Sequence, residues 1–268
     1  MDITFYTVDA FADRPFCGNP AAVMVLENGL TEVQMQAIAA EINLSETAFV
    51  VARGSSANEY GIRWFTPTAE VDLCGHATLA SAHVLFKHYG VKTQRIIFHS
   101  ASGPLPTEIN KQQLLELDFP ANPTSVIATP AALVEALGIE PLQVRIGGPR
   151  MLVVVASSEI VAQVTPNFAK LGDLEQRGIC VTAPGTDRHS NYDFVCRYFA
   201  PAIGIPEDPV TGSAYTALVP YYAQTLNKMA LSARQLSARG GDLSLSLEGN
   251  RVKIAGKAIT VSKGCFYL

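Results

Sequence analysis

The chain has 268 residues, of which 48% are apolar and 16% charged, a balance that excludes a disordered chain and provides a sizeable core for one or two domains. A net charge of −4 and a pI near 5.7 supply no basic field for a phosphate backbone, so nucleic acid is excluded as the expected partner. No apolar run approaches the roughly 18 residues of a membrane span, and the start, MDITFYTVDAF, lacks a basic leader with an apolar core, so no membrane partner and a cytoplasmic location are expected.

In chain order, short β-rich runs come first: ITFYTV (3–8), AAVMVL (21–26), TAFVVA (47–52), YGIRWF (60–65) and RIIFHS (95–100). Turn signals such as Cys17-Gly18-Asn19-Pro20 separate them, so they are predicted as strands. A helix is predicted over about 31–42, with Thr31 as N-cap and Val33, Ala37, Ile38 and Ile42 on one face. A second, over about 76–89, is apolar or small nearly all round through ATLASAHVLF, and a helix of that kind belongs inside a sheet rather than on top of one. Near the C-terminus LSLSLE (243–248), RVKIAG (251–256) and AITVS (258–262) read as strands, the first two joined as a hairpin at Gly249-Asn250.

The second half repeats the plan of the first. Arg63-Trp64-Phe65-x-Pro67 and Arg197-Tyr198-Phe199-x-Pro201 share one spacing at an offset of 134 residues (197 − 63). Gly75-His76-Ala77 then answers to Gly212-Ser213-Ala214 at an offset of 137 (212 − 75), each copy running strand, proline turn, glycine, small-residue helix. The fold class expected is α/β (α+β), with two similar halves, each a curved, mostly antiparallel sheet wrapped around a central helix. The halves are placed at 1–115, completed by 256–268, and at 116–255.

The first turn of a helix has backbone N–H groups without intrahelical partners and a dipole that favours anions, and glycine there lets a ligand approach. If Gly75 and Gly212 face one cleft, a carboxylate would be held there without any arginine; taken singly, each glycine serves only its turn. Glu46, in NLSETAFV, reads alone as a solvated or capping strand-edge residue. A carboxyl group withdrawn from water, however, is suited to take and return protons near neutrality. His76 could donate a hydrogen bond, act as a second acid/base group or be structural; Asp208 reads as the N-cap of the helix that follows, with Pro209 at its first position. Ser213 draws notice as the counterpart of His76.

Cys74 and His76 are two residues apart, and i and i+2 side chains on a helix do not face one another, so a Cys–His dyad is not expected. Five scattered cysteines without a CxxC motif suggest neither a disulfide framework nor structural zinc. His76, His83 and His88 lack an i,i+4 relation and an HExxH frame, so no metal is expected either. Neither a P-loop nor a Gly-x-Ser-x-Gly elbow is present.

VDAFADRPFCGNPAAV, NLSETAFV, FTPTAEVDLCGHATLASAHVL and GIPEDPVTGSA, in order and spread over both halves, closely resemble the PhzF-like family of phenazine-biosynthesis isomerases and their relatives. That resemblance implies a diaminopimelate epimerase-like fold, a site in the cleft between the halves, proton relocation with no cofactor, and a homodimer. It implies that Glu46 is the acid/base, that His76, Asp208 and Ser213 are site residues, and that Asn19 lines the pocket, although Asn19 reads from the sequence as a turn former. Related epimerases use two opposed cysteines; here the second half offers Asp208, Thr211 and Ser213 but no thiol at the matching place. The expected function is therefore an isomerase that shifts a proton on a small amino- or hydroxy-substituted carboxylate, with Glu46, His76 and Asp208 catalytic and Asn19, Ser45, Gly75, Gly212 and Ser213 binding substrate. The alternatives are a thiol-dependent epimerase using Cys74 and a non-catalytic binder of small carboxylates.

Overall fold

The computed structural model describes residues 2–54 and 58–268. They fall into two units, residues 1–118 with 255–268 and residues 119–254. The first runs β1 (Asp2–Ala10), β2 (Asn19–Leu26), α1 (Glu32–Ile42), β3 (Glu46–Ala52), β4 (Glu59–Phe65), β5 (Glu70–Val71), α2 (Gly75–His88), β6 (Arg95–Ser100) and β7 (Gly103–Ile109), then enters β8 (Leu115–Pro120). The pairs β1–β2, β3–β4, β4–β5 and β6–β7 are antiparallel, while β2–β3 and β4–β6 are parallel. A parallel pair cannot be closed by a tight turn, and α1 and α2 are the two crossovers that these pairs require.

The second unit runs β9 (Ser125–Ile127), α3 (Ala131–Leu137), β10 (Gln143–Gly147), β11 (Arg150–Val154), α4 (Ser158–Gln163), α5 (Phe168–Gly172), β12 (Gly178–Pro184), β13 (Phe194–Ala200) and β14 (Ile205–Asp208). A single 3-10 turn, Gly212–Ala214, leads into α6 (Tyr215–Leu226), followed by β15 (Ala230–Gln235), β16 (Gly241–Glu248) and β17 (Arg251–Gly256). Here β10–β11, β12–β13, β13–β14 and β15–β16 are antiparallel and β11–β12 and β13–β15 parallel. That is the pairing order of the first unit, so the internal repeat read from the sequence is present in the strand connections themselves. The last strand, β18 (Ala258–Tyr267), pairs antiparallel with β1 and completes the first unit.

A bidentate ion pair marks the same place in each copy. Arg63 donates to both carboxylate oxygens of Glu70 at 2.6 Å, and Arg197 donates to both of Glu207 at 2.7 and 2.9 Å. Each pair ties the strand before the proline turn to the segment that leads to the buried helix, a fork-to-fork geometry that fixes orientation as well as charge.

Every residue of α2 from Gly75 to Leu85 is buried, and the helix packs against β1, β2 and β3. Its two buried hydroxyls are satisfied within it: the Thr78 hydroxyl donates to the Cys74 carbonyl at 2.5 Å and the Ser81 hydroxyl to that of Ala77 at 2.7 Å. Helix α1 begins at the expected Thr31, in a capping box with Gln34. Its inward face is Met35, Ile38 and Ala39, however, and Val33 is 79% exposed. The helix is rotated from the predicted stripe because Met24, Phe49 and Phe65 of the sheet offer their apolar surface to Met35 and Ile38. The second unit has its own core, in which Leu133, Val153, Val161, Val181 and Phe199 meet. No helix among the described residues is long and apolar enough to cross a membrane.

One buried group makes stability depend on pH. His83 is 9% exposed, and its Nε2 lies 3.0 Å from the Thr260 hydroxyl, to which His88 Nε2 also bonds at 2.8 Å. Burial, then the charges of Lys87 and His88, push the His83 pKa down to about 4. The unfolded chain binds this proton near the ordinary value of 6.5 and the folded chain only near 4, so the stability is complete above pH 6.5 and is lost as pH falls through that window. Its size is at most about 3 kcal/mol. Urea midpoints of the parent are expected to fall between those two pH values more steeply than those of His83→Gln; equal slopes would refute the assignment.

Candidate functional site

Glu46 opens β3 and Asn19 opens β2, two strands paired in parallel with Ala21 opposite Glu46. Helix α2 crosses this sheet with its first turn over those strand starts, which brings His76 to both residues. The His76 Nε2 lies 3.1 Å from Glu46 Oε2, with the two side chains 6% and 13% exposed. Asn19, fully buried, points its Nδ2 at His76 Nδ1 at 3.2 Å. Asn19 thus holds the ring at Nδ1, and Nε2 faces the carboxylate. The 3.1 Å approach is close but off the hydrogen-bonding line, so both Glu46 Oε2 and His76 Nε2 are buried without a hydrogen-bond partner. Two such atoms side by side are an unfinished polar site, because buried polar groups are ordinarily satisfied.

Cys74 also reaches this cluster, with its sulfur 3.5 Å from His76 Nδ1, which corrects the expectation that the two side chains would not meet. The i,i+2 rule applies inside a helix, whereas Cys74 is the N-cap, with extended backbone angles of φ −141° and ψ 113°. Burial first, and the Glu46 charge second, push the Cys74 thiol up, so it is protonated at neutrality. For His76 burial opposes charge, but the Cys74 sulfur and the Glu46 carboxylate outweigh it and hold the ring well above the ordinary histidine value. Since the thiol is itself neutral near pH 7, Glu46 is the partner that matters there.

Glu46, Cys74 and His76 each offer a ligand atom within 4.8 Å of one another, so the same cluster is able to chelate a thiophilic cation such as Zn²⁺. A cavity of about 590 Å³ in the first unit, lined by Leu26, Met35, Phe49, Val51, Arg63 and His99 among others, is bordered by none of these three residues. Buried polar atoms without a hydrogen-bond partner are also found at Thr47, Trp64 and Thr107, but at Glu46 and His76 two of them, both titratable, lie side by side. Ser45 is half-buried in the bend before Glu46, and Gly75 is buried at the first position of α2.

The second unit gathers its own predicted residues. Asp208 ends β14 and is not the helix cap that was expected: the turn starts only at Gly212, with Thr211 before it, and Pro209 lies outside it. Asp208 instead accepts a hydrogen bond from the Thr211 hydroxyl, in a loop held by the fully buried Gln235 side chain. That amide accepts from the Thr211 N–H at 3.0 Å and donates to the Asp208 carbonyl at 2.7 Å. Gly212 is buried, and Ser213 receives a hydrogen bond at 2.8 Å from Arg150 Nη2. An arginine therefore stands beside the predicted Gly212-Ser213 helix entrance. No local motif signalled Arg150, which lies 63 residues from Ser213 and reaches it through the placement of β11.

Two units of identical strand order, each with polar residues on the first turn of its buried helix and one bearing a carboxylate–imidazole pair, define a diaminopimelate epimerase-like fold. A hydroxyproline epimerase of Agrobacterium vitis, solved with bound trans-4-hydroxy-L-proline, shares that fold alone, with a TM-score of 0.62 at 9% identity over 98% of this chain and 92% of its own. Residues 8–264 match the family model described as phenazine biosynthesis-like protein, and the chain belongs to this PhzC-PhzF family. It is 50% identical to an uncharacterized isomerase of Pseudomonas aeruginosa over 98% of both chains. A PhzF-family phenazine biosynthesis protein of Enterococcus faecalis superposes with a TM-score of 0.94 at 46% identity, covering both chains completely.

Proposed function

We propose that the chain is an isomerase that moves a proton between carbons of a small amino- or hydroxy-substituted carboxylate, with Glu46 as the acid/base and no cofactor taking part. The observation that carries this reading is the buried Glu46–His76 pair, with Oε2 and Nε2 3.1 Å apart and each lacking a hydrogen-bond partner. In the forward step a substrate C–H bond breaks, its electron pair passes into an adjacent unsaturated bond, and the proton goes to Glu46. Return of that proton to a second carbon restores the carboxylate, so no oxidant or reductant is required. His76 stabilises the ionised carboxylate and polarises the substrate, and Asn19 acts through His76 by holding its ring. Ser45, Gly75, Asp208, Gly212 and Ser213 are assigned to substrate binding and orientation in the same reading. The names of the P. aeruginosa isomerase and the E. faecalis protein support the reaction class. The test is hydrogen exchange from deuterated water into candidate carboxylates, with the parent compared to Glu46→Gln; undiminished exchange in the variant would remove Glu46 from the role.

The contact between Cys74 and His76 favours a second reading, in which the thiol is the proton donor of an epimerase. A thiol whose pKa burial pushes up is a weak acid and yields little thiolate at neutrality, and this ranks the second reading below the first. Cys74→Ser is expected to keep activity within about ten-fold of the parent, whereas a loss beyond about a hundred-fold would transfer the proton chemistry to the sulfur.

A further inference from the structure

Three half-buried arginines of the second unit are matched with acceptors. Arg197 has Glu207, Arg234 has Asp242 at 2.6 Å, and Arg145 donates to Thr124, to its carbonyl and to Gln143. Arg150 differs. It opens β11, is half-buried, and its side-chain partners are neutral hydroxyls: Nη2 donates to the Ser213 oxygen, and the Tyr198 hydroxyl also bonds to the guanidinium; among the described residues no carboxylate pairs with it. A guanidinium carries five N–H donors and no acceptor, and a partly desolvated charge without a counter-ion is unfavourable.

The surroundings keep that charge in place. Gly178 stands opposite Arg150 in the parallel β11–β12 register, and the Tyr198 hydroxyl occupies the space a side chain there would fill, 1.8 Å from where a Cβ would stand. Tyr198 is 7% exposed and lies beside Arg150. Because the Ser213 oxygen accepts from Arg150, its own hydroxyl hydrogen is left to donate elsewhere. The Gly212 and Ser213 N–H groups, on the first turn of the helical segment, likewise have no intrahelical acceptor. Arginine, hydroxyl and amides together make a group of donors that lacks its acceptor.

We propose that Arg150 is the residue that recognises the substrate's carboxylate, binding it as a counter-ion together with the Ser213 hydroxyl. This rests on the isomerase reading for what happens to the bound molecule, but not for the binding itself. Arg150 selects free acids over neutral amides, because only the acid supplies the negative charge that the guanidinium lacks, and a charge-assisted bond is about twice as strong as a neutral one. The planar fork suits a carboxylate better than a point charge would, so lysine at this position is a partial replacement.

The experiment uses the full chain and named probes: anthranilate, trans-4-hydroxy-L-proline and L-proline, each paired with its primary amide, with affinities from calorimetry and thermal shift. In the parent at least one acid is expected to bind about ten-fold or more tightly than its amide. Arg150→Met should bring that acid down to the level of its amide while amide binding is unchanged, and Arg150→Lys should recover part of the preference. If the methionine variant does not fold, Arg150→Gln against Arg150→Lys makes the same comparison of neutral with charged. The proposal is overturned if the neutral variants keep the preference, or if the parent prefers no acid to its amide. Loss of proton exchange with the preference intact would instead refute the isomerase reading and leave Arg150 as the carboxylate-binding residue of a non-catalytic protein.

Discussion

Glu46→Gln is expected to slow proton exchange into a bound carboxylate by about 10²–10⁴-fold, the usual contribution of a positioned acid/base group. The amide nearly matches the carboxylate in volume, and the side chain is only 13% exposed at the start of β3, so the fold is expected to survive. What disappears is the lone pair able to take a proton. A second readout separates this from a packing effect. Part of the rise in the His76 pKa comes from the Glu46 charge, so in the variant the imidazole should titrate at lower pH than in the parent, as followed by NMR. The sign has a consequence for stability. With the His76 pKa raised in the folded chain, the pair stabilises fully below the ordinary histidine value, and that stabilisation is lost as pH rises through the folded value; Glu46→Gln should reduce it. An exchange rate within about ten-fold of the parent, or an unmoved His76 titration, would contradict the pairing on which the proposed function rests.

Gly18→Ala is expected to destabilise the chain by about 3–5 kcal/mol, at the extreme of single substitutions. Gly18 has φ +66°, and a Cβ built there would stand 2.1 Å from the Ala10 carbonyl oxygen and 2.9 Å from the Ala12 Cβ. Neither obstacle is a flexible side-chain end, so the strands β1 and β2 would have to separate where Ala10 pairs with Asn19. The midpoint of thermal unfolding should fall by roughly 10 °C. Gly29→Ala is the control, because a Cβ there meets nothing within 4 Å, and it should be neutral within about 0.5 kcal/mol. The effect should also extend to the site: Gly18 sets the chain entry for Asn19, and Asn19 holds the His76 ring. Activity lost at temperatures where the variant is still folded would report that coupling, and a melting point equal to that of Gly29→Ala would deny the clash.

Much of the architecture was legible before any coordinates. The offset between Arg63-Trp64-Phe65 and Arg197-Tyr198-Phe199 announces two copies, and the structure answers with the same order of parallel and antiparallel pairs in each unit. The apolar-all-round pattern of ATLASAHVLF announces a central helix, and α2 is buried throughout that stretch up to Leu85. The stripe expected on α1 was read less well. Its Val33 is exposed and Met35 buried, because an amphipathic pattern with small residues on several sides leaves the rotation of a helix to the sheet beneath it.

The candidate site divides along the same line. Residue type and local order by themselves determined that a glutamate follows a turn into a strand, that a histidine and a serine follow matching glycines, and that four ordered motifs point to one family, since each of these is a property of neighbours in the chain. Only the tertiary structure decided who meets whom. Asn19 reaches His76 across 57 residues and Arg150 reaches Ser213 across 63, and Cys74 turns toward His76 because its backbone is extended at the helix entrance. Asp208 accepts from Thr211 at the end of a strand instead of capping a helix. The physical reason is that periodicity and turn chemistry record which side of an element avoids water, whereas the partner of a polar side chain is set by strand register and by crossover helices that join segments distant in sequence. The charge on Arg150 was in view from the start; that it lies half-buried, donates to Ser213 and has no carboxylate beside it among the described residues is a fact of the folded chain alone.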